Sequence, residues 1–149
     1  MKKEIEKFMS AAIGEARRGL AEGGLPIGSV LVWRGKIIGA GHNRRVQNGS
    51  VIRHAEMDAL ENAGRRLSSV YRQTTLYTTL SPCAMCSGAI LLYGIPRVII
   101  GENRTFMGEE ALLLSRGVEI EVVQEPDCIA LMEEFIKKHP ELWNEDIGV

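Results

Sequence analysis

Apolar side chains recur at helical spacing at the start of the chain. Ile5, Phe8, Met9, Ala12, Ile13 and Ala16 share one face, which predicts an amphipathic helix over residues 5–16 that ends by Gly23 and Gly24. After Pro26 the pattern changes. Ile27 to Trp33 is a run of β-branched and aromatic residues, which predicts a strand. Arg34 and Gly35 make a turn, and residues 36–41 give a second strand, most simply the other arm of an antiparallel hairpin. Residues 42–53 are polar, with Asn48-Gly49-Ser50, and read as a loop. A helix is expected from about His54 to Arg65, with Ala55, Ala59, Leu60 and Ala63 as its apolar face.

Further on, residues 74–80 read as a strand broken by Ser81-Pro82. A helix follows from about Cys83 to Tyr93, stopped by Gly94 in the manner of a C-cap. Short strands are expected at residues 97–101 and 118–123, separated by a short helix over 108–115. A last long helix runs over 126–138, with Cys128, Leu131, Met132, Phe135 and Ile136 on one face. The tail from His139 to Val149 holds Pro140 and a lone Trp143. Strands alternating with helices predict an α/β fold: three α/β/α layers around a five-stranded mixed, mostly parallel sheet, with the opening hairpin as its antiparallel pair. No internal repeat or linker interrupts it.

Composition narrows the possibilities. Hydrophobic residues make up 45% and charged residues 25% of 149 positions, which excludes a disordered, collagenous or coiled-coil chain. This length predicts one domain, residues 1–149, able to bury about two-thirds of its unfolded surface without help from a disulfide. The apolar runs are too short to cross a bilayer, and Lys2-Lys3-Glu4 begins no secretory leader. Three cysteines make no disulfide framework and point to a reducing, cytoplasmic setting. A net charge of −1 argues against nucleic acid as the main partner. The charge is uneven, however. Between Gly23 and Ala55 the charged side chains are all basic (Arg34, Lys36, Arg44, Arg45, Arg53), whereas nine acids face two lysines from Glu119 onward. Ordinary solvated loops account for both stretches, and a local basic surface stays open.

Two motifs carry chemistry. Cys83-Ala-Met-Cys86 sits at an expected helix start after Pro82, where two thiolates can converge on one ion and the helix dipole lowers a thiol's pKa. Alone, Cys-x-x-Cys is ambiguous between metal and redox chemistry. Upstream, His54-Ala55-Glu56 opens the preceding helix. Three protein ligands, His54, Cys83 and Cys86, with a fourth position open, make the pattern of a catalytic zinc. The combination His-x-Glu … Pro-Cys-x-x-Cys is the signature of zinc-dependent deaminases. Glu56 is then the group that moves a proton from water to a leaving nitrogen. The bland alternatives are a dipole-favoured acid at Glu56, and a structural zinc closed by Cys128 or His42.

With these motifs the chain resembles the cytidine-deaminase-like superfamily, and more closely the yeast-type cytosine deaminases. The resemblance runs from about Gly14 to Gly148. It includes Gly41-His-Asn43, Tyr93-Gly-Ile-Pro-Arg97, Gly101-Glu-Asn103 with Phe106, and the tail Trp143-Asn-Glu-Asp-Ile-Gly148. It implies one Zn2+ per subunit, a homodimer, and hydrolysis of free cytosine to uracil and ammonia. It also implies substrate contacts: Asn43 to the ring, the Ala55 N–H to the ring carbonyl, and the Ser81 carbonyl and Asp146 to the amino group. Phe106 and Trp143 would pack on the base, with Ile27 and Leu80 shaping the pocket. Three positions depart from that family: Arg53 stands where an apolar residue is expected, Arg44 is more basic than expected, and Ala55 replaces a glycine. These bear on the base rather than the chemistry.

Other readings remain at this stage. Another aminated heterocycle, such as isocytosine or a guanine-like base, would keep the zinc chemistry. A tRNA adenosine deaminase shares both motifs, and Arg44, Arg45 and Arg53 could touch phosphates; the net charge and acidic end weigh against it. A non-enzymatic zinc module would need a fourth protein ligand.

Overall fold

The computed structural model describes residues 2–149. Helix α1 (Lys2–Ala21) buries Ile5, Phe8, Met9, Ala12, Ile13 and Ala16, the face its spacing predicts. The hairpin follows as β1 (Gly28–Trp33) and β2 (Lys36–His42), turning through Arg34 and Gly35, both at positive φ. The polar loop contains one short turn of helix, α2 (Arg45–Asn48), and leads to α3 (Ala55–Ala63). Another short turn, α4 (Ser68–Tyr71), precedes β3 (Thr74–Leu80). Then come α5 (Ala84–Tyr93), capped by Gly94 in the left-handed conformation, β4 (Arg97–Glu102), α6 (Glu110–Ser115), β5 (Glu119–Val122) and α7 (Pro126–Lys138). The tail, to which the sequence pattern assigns no element, forms a helix, α8 (Pro140–Asp146), with Pro140 in its first turn, where a missing N–H costs nothing.

The five strands lie in the order β2-β1-β3-β4-β5. β3, β4 and β5 are mutually parallel, and β1 is antiparallel to both β2 and β3. Four strands therefore share one direction, as expected of a mostly parallel sheet. The antiparallel pairs number two rather than one, because β1 sits inside the sheet instead of at its edge. A hairpin pattern tells which strands are joined, not which of them meets the next βα unit.

The strands are buried on both faces, so their alternation sorts side chains between two layers. Val30, Val32, Tyr77 and Ile99 face α1 and Cys128 of α7. Leu31, Leu76, Val98 and Ile100 face Ala59 and Ala63 of α3 and Ile90 of α5. Close approach is needed on both sides. A Cβ on Gly28 would fall 2.0 Å from the Ala12 carbonyl oxygen, and one on Gly41 would fall 2.5 Å from the Ala59 nitrogen. These glycines let α1 and α3 sit directly on the backbone. Among the described residues, no helix is long and apolar enough to cross a membrane.

Candidate active site

A third apolar cluster closes one end of the sheet: Leu25, Ile27, Ala55, Leu80, Met132, Phe135 and Trp143. The carboxyl ends of β2 and β3 and the amino ends of α3 and α5 converge there. In parallel α/β sheets this is where loops and helix N-termini face a ligand.

His54 is the N-cap of α3 and Cys83 the N-cap of α5, both with extended backbone. Each helix therefore begins one residue after a metal-binding side chain, with its first N–H groups free. The Cys83 and Cys86 sulfurs lie 3.4 and 3.8 Å from Nδ1 of His54, and all three ligand atoms lie within 4.8 Å of one another. A tetrahedral zinc with N and S ligands has ligand-to-ligand edges of roughly 3.5–3.8 Å, so the donor set fits that ion. The other imidazole nitrogen, Nε2, stands 3.5 Å from Asp146 Oδ1. A carboxylate on the far side of a ligating histidine orients the ring and raises its basicity.

The proton balance agrees. A hydrogen bond from the Cys86 thiol, followed by His54, pulls the Cys83 thiol down to about 4. Cys86, its partner, is pushed up. Burial works against charge on His54, but the bond to Cys83 and the nearby Asp146 and Glu56 raise it to about 9. This pairing of one thiolate with one imidazolium is what a soft-metal site offers before its protons leave. Glu56 lies on the first turn of α3, buried at 5% exposure, and burial together with Cys83 lifts it to about 7.

Neither residue considered as a closing fourth ligand is present at the site. The two ring nitrogens of His42 are each 2.8 Å from a carboxylate, Glu15 and Glu22. Cys128 is buried in the opposite layer against Gly101, and burial pushes its thiol up to about 12. Among the described residues the metal-binding group has three members.

The expected substrate contacts gather around this centre. Ile27, Ala55, Glu56, Leu80, Ser81, Phe106, Trp143 and Asp146 line one inner pocket of about 20 Å³, continuous in its lining with an outer cleft of about 530 Å³. Asn43 is fully buried and donates Nδ2–H to Asp146 Oδ1 at 2.7 Å, while its Oδ1 accepts from the Arg45 N–H. One N–H of its amide is left for another acceptor. Burial raises the Asp146 carboxyl, and His54 and Asn43 oppose that shift. Phe106 and Trp143 meet edge to face, centroids 5.7 Å apart. Ser81 donates its N–H to Glu102 and its hydroxyl to Glu110.

Three contributors were given no role at the site by the sequence, although each stands in a stretch it singles out. Ile147 completes the pocket wall. Arg45, 8% exposed, reaches Glu145 at 3.5 Å and holds the end of α8 against the loop. Glu102, fully buried, accepts from the N–H groups of Arg104 and Thr105 and so shapes the turn carrying Phe106.

Residues 2–102 match the model of the cytidine and deoxycytidylate deaminase zinc-binding region. The chain is 51% identical over 144 residues to a cytosine deaminase of Candida albicans, covering 96% of each. It is 39% identical over 142 residues to a tRNA-specific adenosine deaminase of Streptococcus pyogenes, covering 88% of this chain and 89% of that protein. Among solved structures, a chain from a study of tRNA:A34 deaminases superposes with a TM-score of 0.72 at 27% identity, over 85% of this chain and 99% of that one. A guanine deaminase from Nitrosomonas europaea superposes with a TM-score of 0.72 at 25% identity, over 86% and 82%.

Proposed function

The chain belongs to the cytidine and deoxycytidylate deaminase family, and from that premise we propose that its whole length serves one reaction: zinc-dependent hydrolysis of a free pyrimidine base, cytosine, to uracil and ammonia. The observation that carries the choice of substrate is the closed wall opposite the metal ligands. Trp143 and Asp146 from the tail meet Phe106 and Asn43 over a narrow inner pocket, an aromatic and polar lining that suits a small flat ring once the tail shifts and bars a bulkier group. The 51% identity to a cytosine deaminase supports the same base.

His54, Cys83 and Cys86 would hold the zinc, which would supply an acidified water to the reaction. Glu56 takes a proton from the attacking water as oxygen adds to the amino-bearing ring carbon. It passes that proton to the ring nitrogen, then carries the hydroxyl proton of the adduct to the amino nitrogen, which leaves as ammonia. The free N–H of Ala55 at the start of α3 receives the ring carbonyl, and the spare N–H of Asn43 a ring acceptor. The Ser81 carbonyl and Asp146 hold the amino group. Phe106 and Trp143 pack on the ring, and Ile27 and Leu80 bound it.

The test is ammonia release by the zinc-loaded protein from a panel of free bases, nucleosides and adenosine-containing tRNA. Turnover of cytosine with little of cytidine is expected. Activity confined to another aminated ring would transfer the reading to that base, and activity on tRNA alone would transfer it to RNA editing.

We extend the proposal to a cytoplasmic homodimer. The metal requires reduced thiols, which suits a reducing compartment. At the cleft mouth Val51, Ile52 and Met107 are 74%, 53% and 59% exposed, an apolar rim that a second copy would cover. Sedimentation of the purified protein as a monomer at micromolar concentration would overturn the dimer.

A further inference from the structure

We infer that Asp58 is the positioning residue of this site, a single buried carboxylate that holds the metal ligand His54 and the base-contacting Asn43 in register. For Asn43 the inference rests on the function proposed above. For His54 it rests on the metal-binding cluster alone.

Asp58 lies one turn after His54 on α3, and its side chain is fully buried. It accepts three hydrogen bonds. Oδ2 receives the His42 N–H at 3.0 Å and Arg44 Nε at 2.9 Å, and Oδ1 receives Arg53 Nε at 2.9 Å. Those donors bracket the two functional residues. His42 and Arg44 flank Asn43, and Arg53 immediately precedes His54. The same two segments are joined by the Arg44 N–H to the Arg53 carbonyl at 2.9 Å, and α3 is joined to its cap by the Asp58 N–H to the His54 carbonyl at 2.9 Å. Gly41 makes the approach possible, since a Cβ there would fall 2.6 Å from Asp58 Oδ2.

A carboxylate is required at this position. Each of its oxygens accepts from a charged Nε–H, and an asparagine would turn an NH2 group toward one of two arginines. Arg44 and Arg53 are a third exposed, so their outer nitrogens stay hydrated while Nε is committed inward. The two arginines that depart from the family pattern are thereby the arms of Asp58, one reaching toward each functional segment. An alternative assignment to phosphate contact leaves their shared inward carboxylate unexplained.

The test uses full-length zinc-loaded protein with Asp58→Asn, Arg53→Met and Arg44→Met, and reads two quantities: the rate at which a chromogenic chelator strips zinc, and kcat and KM for cytosine. Groups that orient a metal ligand change metal affinity or activity by about tenfold or more. Asp58→Asn is expected to speed zinc loss and raise KM, each by about tenfold. Arg53→Met should reproduce mainly the faster zinc loss, and Arg44→Met mainly the higher KM. A folded Asp58→Asn protein with a lowered melting temperature but unchanged zinc release and KM would overturn the inference, since that is the behaviour of a structural contact. If Asp58→Asn does not fold, unchanged zinc release in Arg53→Met together with unchanged KM in Arg44→Met overturns it. If the parent protein turns over no base, the proposed function fails on its own, and zinc release in Asp58→Asn and Arg53→Met still decides the metal half.

Discussion

The two walls of the pocket are built by opposite means. The metal wall is short-range and local: each ligand sits at or just inside the start of a helix, and Cys86 lies only 32 residues from His54. The wall facing it is long-range. Asn43 and Asp146 are 103 residues apart and meet only because α8 docks across the sheet end, with Trp143 wedged against Phe106 and Arg45 tied to Glu145. In the metal wall His54 and Cys83 are themselves the helix N-caps. The opposite wall depends on a seven-residue helix held by an aromatic contact, an ion pair and the Asn43–Asp146 hydrogen bond. Its inner pocket holds room for about one water, so a base enters only as this wall yields. On the proposed function, chemistry belongs to the metal wall and substrate choice to the wall that must move to admit a base.

The hardest blow to that division is a change in the metal wall that spares the metal. Glu56→Gln should cut turnover about 10²–10⁴-fold, the usual contribution of general acid–base transfer, with zinc content unchanged. Ammonia release and metal analysis check it, and near-normal turnover would remove Glu56 from the chemistry. On the opposite wall, Trp143→Ala should lower kcat/KM for cytosine about 10–100-fold while zinc content stays full, the scale of a lost aromatic contact with its buried area. Asp146→Asn should lower kcat/KM similarly and, because Asp146 also faces His54 Nε2 at 3.5 Å, weaken zinc retention about tenfold. Loss of zinc from Trp143→Ala would show that the two walls are not separable.

Metal uptake sharpens the comparison further. With Cys83 lowered to about 4, Cys86 raised and His54 raised to about 9, the cluster at neutral pH carries one thiolate, one thiol and one imidazolium. Zinc binding to the stripped protein should then release about two protons, read with a pH indicator in weak buffer. None released would contradict this charge pattern.

The smallest effect concerns acid stability. Burial disfavours the Asp58 carboxylate, but hydrogen bonds from Arg44, Arg53 and the His42 N–H hold it below its ordinary value of 3.8. A depressed carboxyl stabilises the fold fully above its unfolded value and loses that contribution as pH falls through the folded one. Below pH 3.8 the parent protein should therefore lose stability more steeply than Asp58→Asn. Circular dichroism during acid titration would detect the difference, and parallel slopes would deny it.

Much of this was legible along the chain. The apolar spacing of α1 and α7 and the β-branched runs of β1, β3 and β4 marked their elements to within a few residues, because each pattern reports one local period and one buried face. Helices α2, α4 and α8 did not announce themselves. Each is four to seven residues long, too short for periodicity to rise above composition, and each is held by tertiary contacts. Arg44 and Arg53 stood out as charges without a reason, since nothing in a linear reading pairs them with an aspartate on the next helix.

What the amino-acid order determined by itself was the metal chemistry and the layered α/β plan. A cysteine pair after a proline, a His-x-Glu at another helix start and the alternation of strands with helices are short-range facts, set by backbone geometry within a few residues. The tertiary structure alone decided the central place of β1, the docking of the tail over the pocket and the convergence of three donors on Asp58. Those depend on which surfaces exclude water together, a property of the packed chain that no stretch of sequence contains.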